Sequence, residues 1–441
     1  RMKLRKIIFW LHLTAGVVAG AVILVMSVTG VLLPFERQIV AFAERDTRMV
    51  TPATSDAPRL SLDTLVAKAR ETVPASAPSG ITLSADPTAA TMVNFGREQT
   101  VFVDPYTGAV RGNGVTATRD FFRVVTDWHR WLGTDADNRE IGRAVAGACN
   151  AAFMVLVMSG FYLWWPRRWT RLALRAVIIP SLTLHGKPRD WNWHNAVGFW
   201  SAPVLLFITV TALVISYQWA GNLIYTLTGS EPPPTPQRPS TSSAAEGGAG
   251  RGGAMPGAAS GAPDGRAGRQ PRAEGASGAA RRGRATDGAE SASTPARASL
   301  DALLATAVQQ APTWRLMTMR LPQRGAAQVT VMIEEADSLH SYPRSTLTLD
   351  AATAAVVKWE PFANYNLGRT MRTWVRPVHT GEAGGFIGQL IAALASAGGA
   401  VLVYTGLALA WRRFWQFVRR HRRASGAAPD EHRDIAPSQA S

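Results

Sequence analysis

Residues 7–33 read IIFWLHLTAGVVAGAVILVMSVTGVLL, a run with no acidic residue, lysine or arginine. About 20 helical residues suffice to cross a hydrocarbon core of roughly 30 Å, so this stretch spans with residues to spare. Ala41-Phe42-Ala43 imitates a signal cleavage site. The apolar run is nevertheless far longer than the roughly 7–15 residues of a secretory signal, and it reads as a retained anchor. Residues 141–165, 196–217 and 386–411 have the same character. With 46% hydrophobic and 18% charged residues in 441, the composition suits an α-helical membrane protein with four transmembrane helices.

Charge sets an expected orientation. The segments before the first span, between spans two and three, and after span four carry net +4, +5 and +4, which is 13 of the chain's +16. Cytoplasmic loops collect lysine and arginine, so both termini are expected in the cytoplasm, in a multi-pass protein of the bacterial inner membrane. Topology accounts for the basicity, and no nucleic-acid partner is needed. The lone cysteine, Cys149, falls inside span two, which excludes a disulfide framework for the outer domains.

The chain repeats itself. SLDTLVAKARETVP (61–74) returns as SLDALLATAVQQAP (299–312), and TVFVDPYTGAV (100–110) as TLTLDAATAAV (346–356). Each copy reads as a capped amphipathic helix followed by alternating strands. An internal duplication follows, with each half made of a span, a small outer α+β domain and a second span. The expected organisation is span one in 1–36, an outer domain in 37–118, and a juxtamembrane helix with span two in 119–168. A cytoplasmic loop follows in 169–193 and span three in 194–230. A Gly/Ala/Pro/Ser/Arg-rich insertion occupies 231–298, too poor in large apolar residues to offset its ordering entropy. The second outer domain takes 299–368, span four 369–413 and a cytoplasmic tail 414–441.

Histidines repeat with the spans. His12 is followed by Gly16, Gly20 and Thr29, and His194 by Gly198, Ala202 and Thr211, at offsets of 4, 8 and 17 in both. Offsets of 4 and 8 place small residues on the histidine's own helix face. That strip admits either a neighbouring helix or a bulky flat ligand, and a histidine at membrane depth favours a function. His129 precedes span two and His379 precedes span four, at the outer face. The two spans close alike, with Ser159-Gly160 before Trp165 and Thr405-Gly406 before Trp411. One histidine per span, paired by level, is what two bis-histidine haems stacked across a bilayer require, and such haems carry electrons rather than bind oxygen. No C-x-x-C-H occurs, so the haems are expected to be b-type. Arg5, Lys6 and Lys187 inside, and Arg130, Arg372 and Arg376 outside, are candidate propionate partners. Zinc at the outer pair is the competing metal, with Glu382 as a third ligand. His185, in the cytoplasmic loop, is a weak competitor as a ligand, and His340, His421 and His432 read as incidental.

Together these stretches resemble the PepSY-associated transmembrane family, which includes iron-regulated inner-membrane ferric-siderophore reductases of the FoxB type. The resemblance rests on LHLTAGVVAGAVILVMSVTG (11–30), the two SLD-led outer domains, DWHRWLG (127–133), NWHNAVG (192–198), HTGEAGGFIGQ (379–389) and the Trp-Arg span ends. It implies four core spans, paired PepSY-like periplasmic domains and two b haems. It assigns His12 and His194 to the cytoplasmic-side iron, and His129 and His379 to the periplasmic-side iron. The long insertion departs from the family pattern.

Ferric siderophores bind through hard oxygen ligands that hold ferrous iron far more weakly, so one electron delivered outward releases the metal. Trp131, Trp374, Arg369 and Arg376 are candidates for the docking surface of the ferric siderophore. Two alternatives use the same residues: a quinol-linked di-haem protein with another periplasmic acceptor, and a non-enzymatic PepSY regulator of a peptidase. No nicotinamide or flavin fingerprint occurs in 166–193 or the tail. The expected donor is therefore a cytoplasmic flavoprotein, a ferredoxin or quinol.

Overall fold

The structure is a computed structural model that describes residues 2–54, 56–96, 99–165, 169–232, 297–321, 326–335 and 344–425. Most of the insertion, His340, His432 and the end of the tail lie outside the described residues. Helix α1 (Met2–Leu32) takes up the first apolar stretch. A turn at Leu33–Phe35 containing Pro34 ends it, and the short helices α2 (Glu36–Ala43) and α3 (Arg45–Arg48) lead away. Pro34 has no N–H to give to the preceding turn, which accounts for the break. Gln389, buried on the fourth span, donates to the Pro34 carbonyl at 2.6 Å and accepts from Gln38 at 2.6 Å.

Between the first two spans lie α4 (Leu62–Thr72) and strands β1 (Gly80–Ser84), β2 (Thr91–Phe95), β3 (Gln99–Val103) and β4 (Val110–Asn113). Helix α5 (Thr116–Trp131) then leads to α6 (Arg139–Trp164). Helices α7 (Arg171–Ile178), α8 (Gly186–Ser216) and α9 (Gln218–Leu227) follow. The second outer segment has α10 (Leu300–Gln310), β5 (Trp314–Arg320), β6 (Gln328–Glu335), β7 (Arg344–Asp350) and β8 (Val356–Glu360). Helix α11 (Leu367–His379) leads to α12 (Gly385–Ser425).

Four helical segments are long and apolar enough to cross a membrane: Leu4–Ala43, Thr116–Trp164, Gly186–Ser216 and Glu382–Arg422. Large apolar side chains such as Val18, Phe207 and Leu394 point outward from them, as lipid-facing positions do. Helices α1 and α8 each pack on both α6 and α12, so α1 and α8 face one another across the bundle. Two boundaries differ from the sequence expectation. Helix α8 starts at Gly186, inside the stretch read as a loop, with Pro188 in its first turn, where the missing N–H is not needed. Helix α12 continues to Ser425 through an arginine-rich run of good helix formers.

The two outer segments build a single antiparallel sheet of order β4-β3-β2-β1-β5-β6-β7-β8. Its middle seam pairs β1 with β5, from Gly80 opposite Arg320 to Ser84 opposite Leu316. Leu62, Leu65 and Ala69 of α4 and Leu303 and Ala307 of α10 share one core with Ile81, Val93, Met317, Val331 and Leu347. The repeated Ser-Leu-Asp has a physical role at each position. Ser61 and Ser299 cap their own helices, accepting from Thr64 N and Ala302 N. The leucine of α4 is buried and that of α10 packs against the core. The aspartates cross over: Asp301 accepts from Leu62 N at 3.0 Å and Asp63 from Leu300 N at 3.0 Å. Each helix start is thus capped by an aspartate of the other helix.

Candidate functional site

His12 sits in the third turn of α1 and His194 in the third turn of α8, on the two helices that face across the bundle. Their rings meet with centroids 6.4 Å apart and planes at 88°. His129 lies in the last turn of α5, and His379 ends α11. These rings meet with centroids 6.4 Å apart and planes at 62°. His129 and His379 thus sit on the amphipathic helices α5 and α11, and His12 and His194 on the long helices α1 and α8. Gly381, in the left-handed region at φ 75°, makes the turn after His379, where a Cβ would run into the backbone of Gly388.

Each ring is held by a hydroxyl on a neighbouring span. His12 Nδ1 is 2.9 Å from Ser159 Oγ and His194 Nδ1 is 3.0 Å from Thr405 Oγ1. His129 Nδ1 is 2.8 Å from Thr29 Oγ1 and His379 Nδ1 is 3.1 Å from Thr211 Oγ1. Spans one and two hold each other's histidines, as do spans three and four. His12 and Thr29 are 17 residues apart on α1, as are His194 and Thr211 on α8. At 1.5 Å per residue the two levels stand about 25 Å apart along the helices, most of the depth of a hydrocarbon core.

A metal fits between either pair. An imidazole nitrogen binds a first-row metal at about 2 Å, so rings on opposite sides of one metal place their centroids about 6 Å apart. Among the described residues no group of three or more His, Cys, Asp or Glu could hold a metal ion. Glu382 therefore does not complete a zinc site with His129 and His379. Two facing imidazoles with no further protein ligand suit haem iron, whose other ligands come from the porphyrin.

The space beside the inner pair fits a flat group. A cavity of about 1100 Å³ opens among the four spans, lined by His12, His194, Gly16, Gly20, Gly160, Gly198 and Gly406. A Cβ on Gly16, Gly20 or Gly198 would come no closer than 3.4 Å to any neighbour. Helix packing does not demand glycine there; its absent side chains keep the cavity wall flat. Glycines that packing does demand lie elsewhere, at Gly398 and Gly399, where a Cβ would come within 2.9 Å of Ser201 and 2.8 Å of Ser27. Arg5, Lys6 and Lys187 line the same cavity, and so does Arg413, which stacks over Trp10 at 4.9 Å and was not foreseen.

The remaining candidates fall into place around these levels. Arg372 approaches Gly221 on α9. Two guanidiniums lie over the Trp131 ring, Arg130 at 4.8 Å and Arg139 at 4.7 Å. Arg369 is engaged by Glu360 at 2.7 Å and lies 3.6 Å over Tyr365, tying α11 to the end of β8. Trp374 and Arg376 lie on α11 with His379. His185 is exposed just ahead of α8, and His421 packs its ring on Phe417 at 4.2 Å.

Three residues that the sequence does not single out brace the inner level. Asn192 bonds to Ala176 O, Ile179 O and Ser181 N, and Trp193 donates to Ser181 O, pinning the segment after α7 beside His194. Asp190, buried one turn before His194, pairs with Arg189 at 2.8 Å and Arg412 at 3.2 Å. Apart from the adjacent Arg189, these partners come from across a loop or from another span, so no local pattern announces them.

Compared with curated proteins, the chain has no match. Compared with known families, residues 9–413 match the PepSY-associated TM region. That match runs from just before His12 to just past the end of the fourth apolar stretch, and it takes in all four facing histidines and the sheet between them. The chain is a membrane protein of the PepSY-associated transmembrane family.

Proposed function

We propose that this protein is a di-haem b oxidoreductase of the bacterial inner membrane that moves electrons from the cytoplasm to the periplasm and reduces ferric siderophore there. The observation that carries the reading is the pair of matched histidine sites, each with the same 6.4 Å ring separation, at opposite ends of one four-helix bundle. His12 and His194 would hold one haem towards the arginine-rich ends of the spans, and His129 and His379 the other towards the sheet. Bound there, haem b would supply reversible one-electron exchange, with His12 and His194, and His129 and His379, as the residues that would hold it.

The chain's own residues do the rest. Gly16, Gly20, Gly198, Gly160 and Gly406 leave room for a planar group, and Arg5, Lys6, Lys187 and Arg413 offer cations for its carboxylates. Apolar side chains such as Leu205, Val157 and Ala395 fill the bundle between the levels and keep water out. We read the two halves as copies of one ancestral unit, which explains why His12 and Thr29 recur as His194 and Thr211 at equal spacing. A regulator of peptidases that used its spans as anchors would have no need of four histidines gripped at two matched depths. A reduced-minus-oxidised spectrum of the purified protein, with haem extraction, tests the reading. Two b haems per chain are expected, and a protein free of haem overturns it.

A further inference from the structure

We propose that Ser159, Thr405, Thr29 and Thr211 are positioning residues that hold all four histidines in one tautomer, with the proton on Nδ1 and the bare nitrogen Nε2 turned to the gap. This rests on the haem reading above. A hydroxyl has one proton to give and a carbonyl has none. Ser159 gives its proton to Val155 O at 2.7 Å, and Thr405 to Val401 O at 2.7 Å. Thr29 gives its to Val25 O at 2.6 Å, and Thr211 to Phe207 O at 2.7 Å. With that proton committed to its own helix, each oxygen can only accept from the imidazole, so Nδ1 is the donor. At His379 a second acceptor demands the same answer, since the Ile208 carbonyl lies 3.0 Å from Nδ1.

Back-bonding of serine and threonine to the preceding turn is common in helices, and Ser201 and Ser396 do it here. What those two lack is a histidine. In three of the four that have one the next residue is glycine (Gly160, Gly406 and Gly30), whereas alanine follows Thr211, Ser201 and Ser396. A Cβ on Gly160 or Gly406 would lie 3.3 Å from Cε1 of His12 or His194, and one on Gly30 would lie 3.6 Å from Cε1 of His129. The hydroxyl takes Nδ1 and the small residue leaves space for the adjoining ring edge. The pair of positions thus sets both the tautomer and the rotation of the ring. Accepting from Nδ1–H also makes the imidazole a stronger electron donor through its other nitrogen.

The test is potentiometric titration of the haem bands in the purified full chain. Thr405→Val and Thr211→Val remove the acceptor and keep the shape. Each is expected to raise the midpoint potential of the haem at its own level and to leave the other unchanged, while Thr405→Ser and Thr211→Ser restore the wild-type midpoints. If the valine variants lose the haem and the serine variants keep it, the hydroxyl is again responsible. Unmoved midpoints in the valine variants, or equal loss of haem with serine and valine, overturn the inference while leaving the haem reading intact. Wild-type protein without haem overturns both.

Discussion

Phe153 precedes Ser159 by six residues and Gly399 precedes Thr405 by six, and the two meet inside the bundle, where a Cβ on Gly399 would lie 3.5 Å from Phe153 Cζ. One position supplies a ring and the other supplies the room for it. Phe153 also reaches the cavity beside His12 and His194. Replacing Phe153 with alanine leaves a void that costs about 3 kcal/mol, and Gly399→Ala costs about 1–2 kcal/mol by overpacking against Ser27. Both variants are expected to melt earlier in detergent. Phe153→Ala is further expected to slow electron passage between the levels with both haems still bound, measured by the lag between reduction of the two bands.

On the di-haem reading proposed above, the histidine pairs should be separable. His12→Ala or His194→Ala is expected to halve the haem content and abolish turnover with a donor on the cytoplasmic side. The remaining haem, reduced chemically, should still pass an electron to a ferric siderophore. His129→Ala or His379→Ala should give the converse, with one haem reducible from inside and no reduction outside. Turnover of the inner variants with a cytoplasmic donor would mean that the sites do not act in series.

Orientation has its own check. A reporter active only in the periplasm should work when fused near Asp104 and fail when fused after Arg423. Deleting 235–295 should leave haem content and reductase rate within about twofold, because the described core closes without that segment. The opposite reporter pattern would exchange the two sides.

Glu44 gives a prediction for pH. Its side chain is fully buried and pairs with Arg48 at 2.7 Å and with Arg119, joining the end of α2 to α5. Burial alone would raise its carboxyl, but hydrogen bonds from Arg119 and Arg48 outweigh this and hold it below its ordinary 4.5. A depressed folded-state value means that the stabilisation is present above the unfolded value and is lost as pH falls through the folded one. Glu44→Gln should therefore cost about 2 kcal/mol at neutral pH. Melting curves of wild type and variant should converge below pH 4.5. A constant gap across that range would show that charge at Glu44 is not what stabilises the junction.

How much of this was readable beforehand depended on distance along the chain. The four apolar spans, the histidines and the repeated motifs are local patterns; four long apolar helices are present, and the histidines meet in two pairs. Thr29 and Thr211 were visible at a matched offset of 17, and Ser159 and Thr405 in matched span endings, but as repetition without a role. Their partners lie 100, 168, 147 and 211 residues away, and only the packed bundle brings them together. The same holds for the sheet. Alternating strands were legible in each outer segment, whereas the seam between β1 and β5 and the crossed aspartates, Asp63 and Asp301, join residues more than 200 apart. The start of α8 was obscured because polar Asn192 and Asp190 resemble loop residues until their partners are known.

The seam between β1 and β5 has a consequence for chain continuity. Residues before Pro232 carry three spans and half the sheet, and residues after Arg297 carry the other half and the fourth span. Ten strand residues, the crossed aspartates and a shared core already tell each piece where the other belongs. A protease cut, or two separately translated polypeptides, should therefore still assemble into one working unit. On the di-haem reading, recovery of haem at His129 and His379, one from each piece, would report that reunion. For this architecture the peptide link across the insertion sets how soon the pieces meet rather than whether they match.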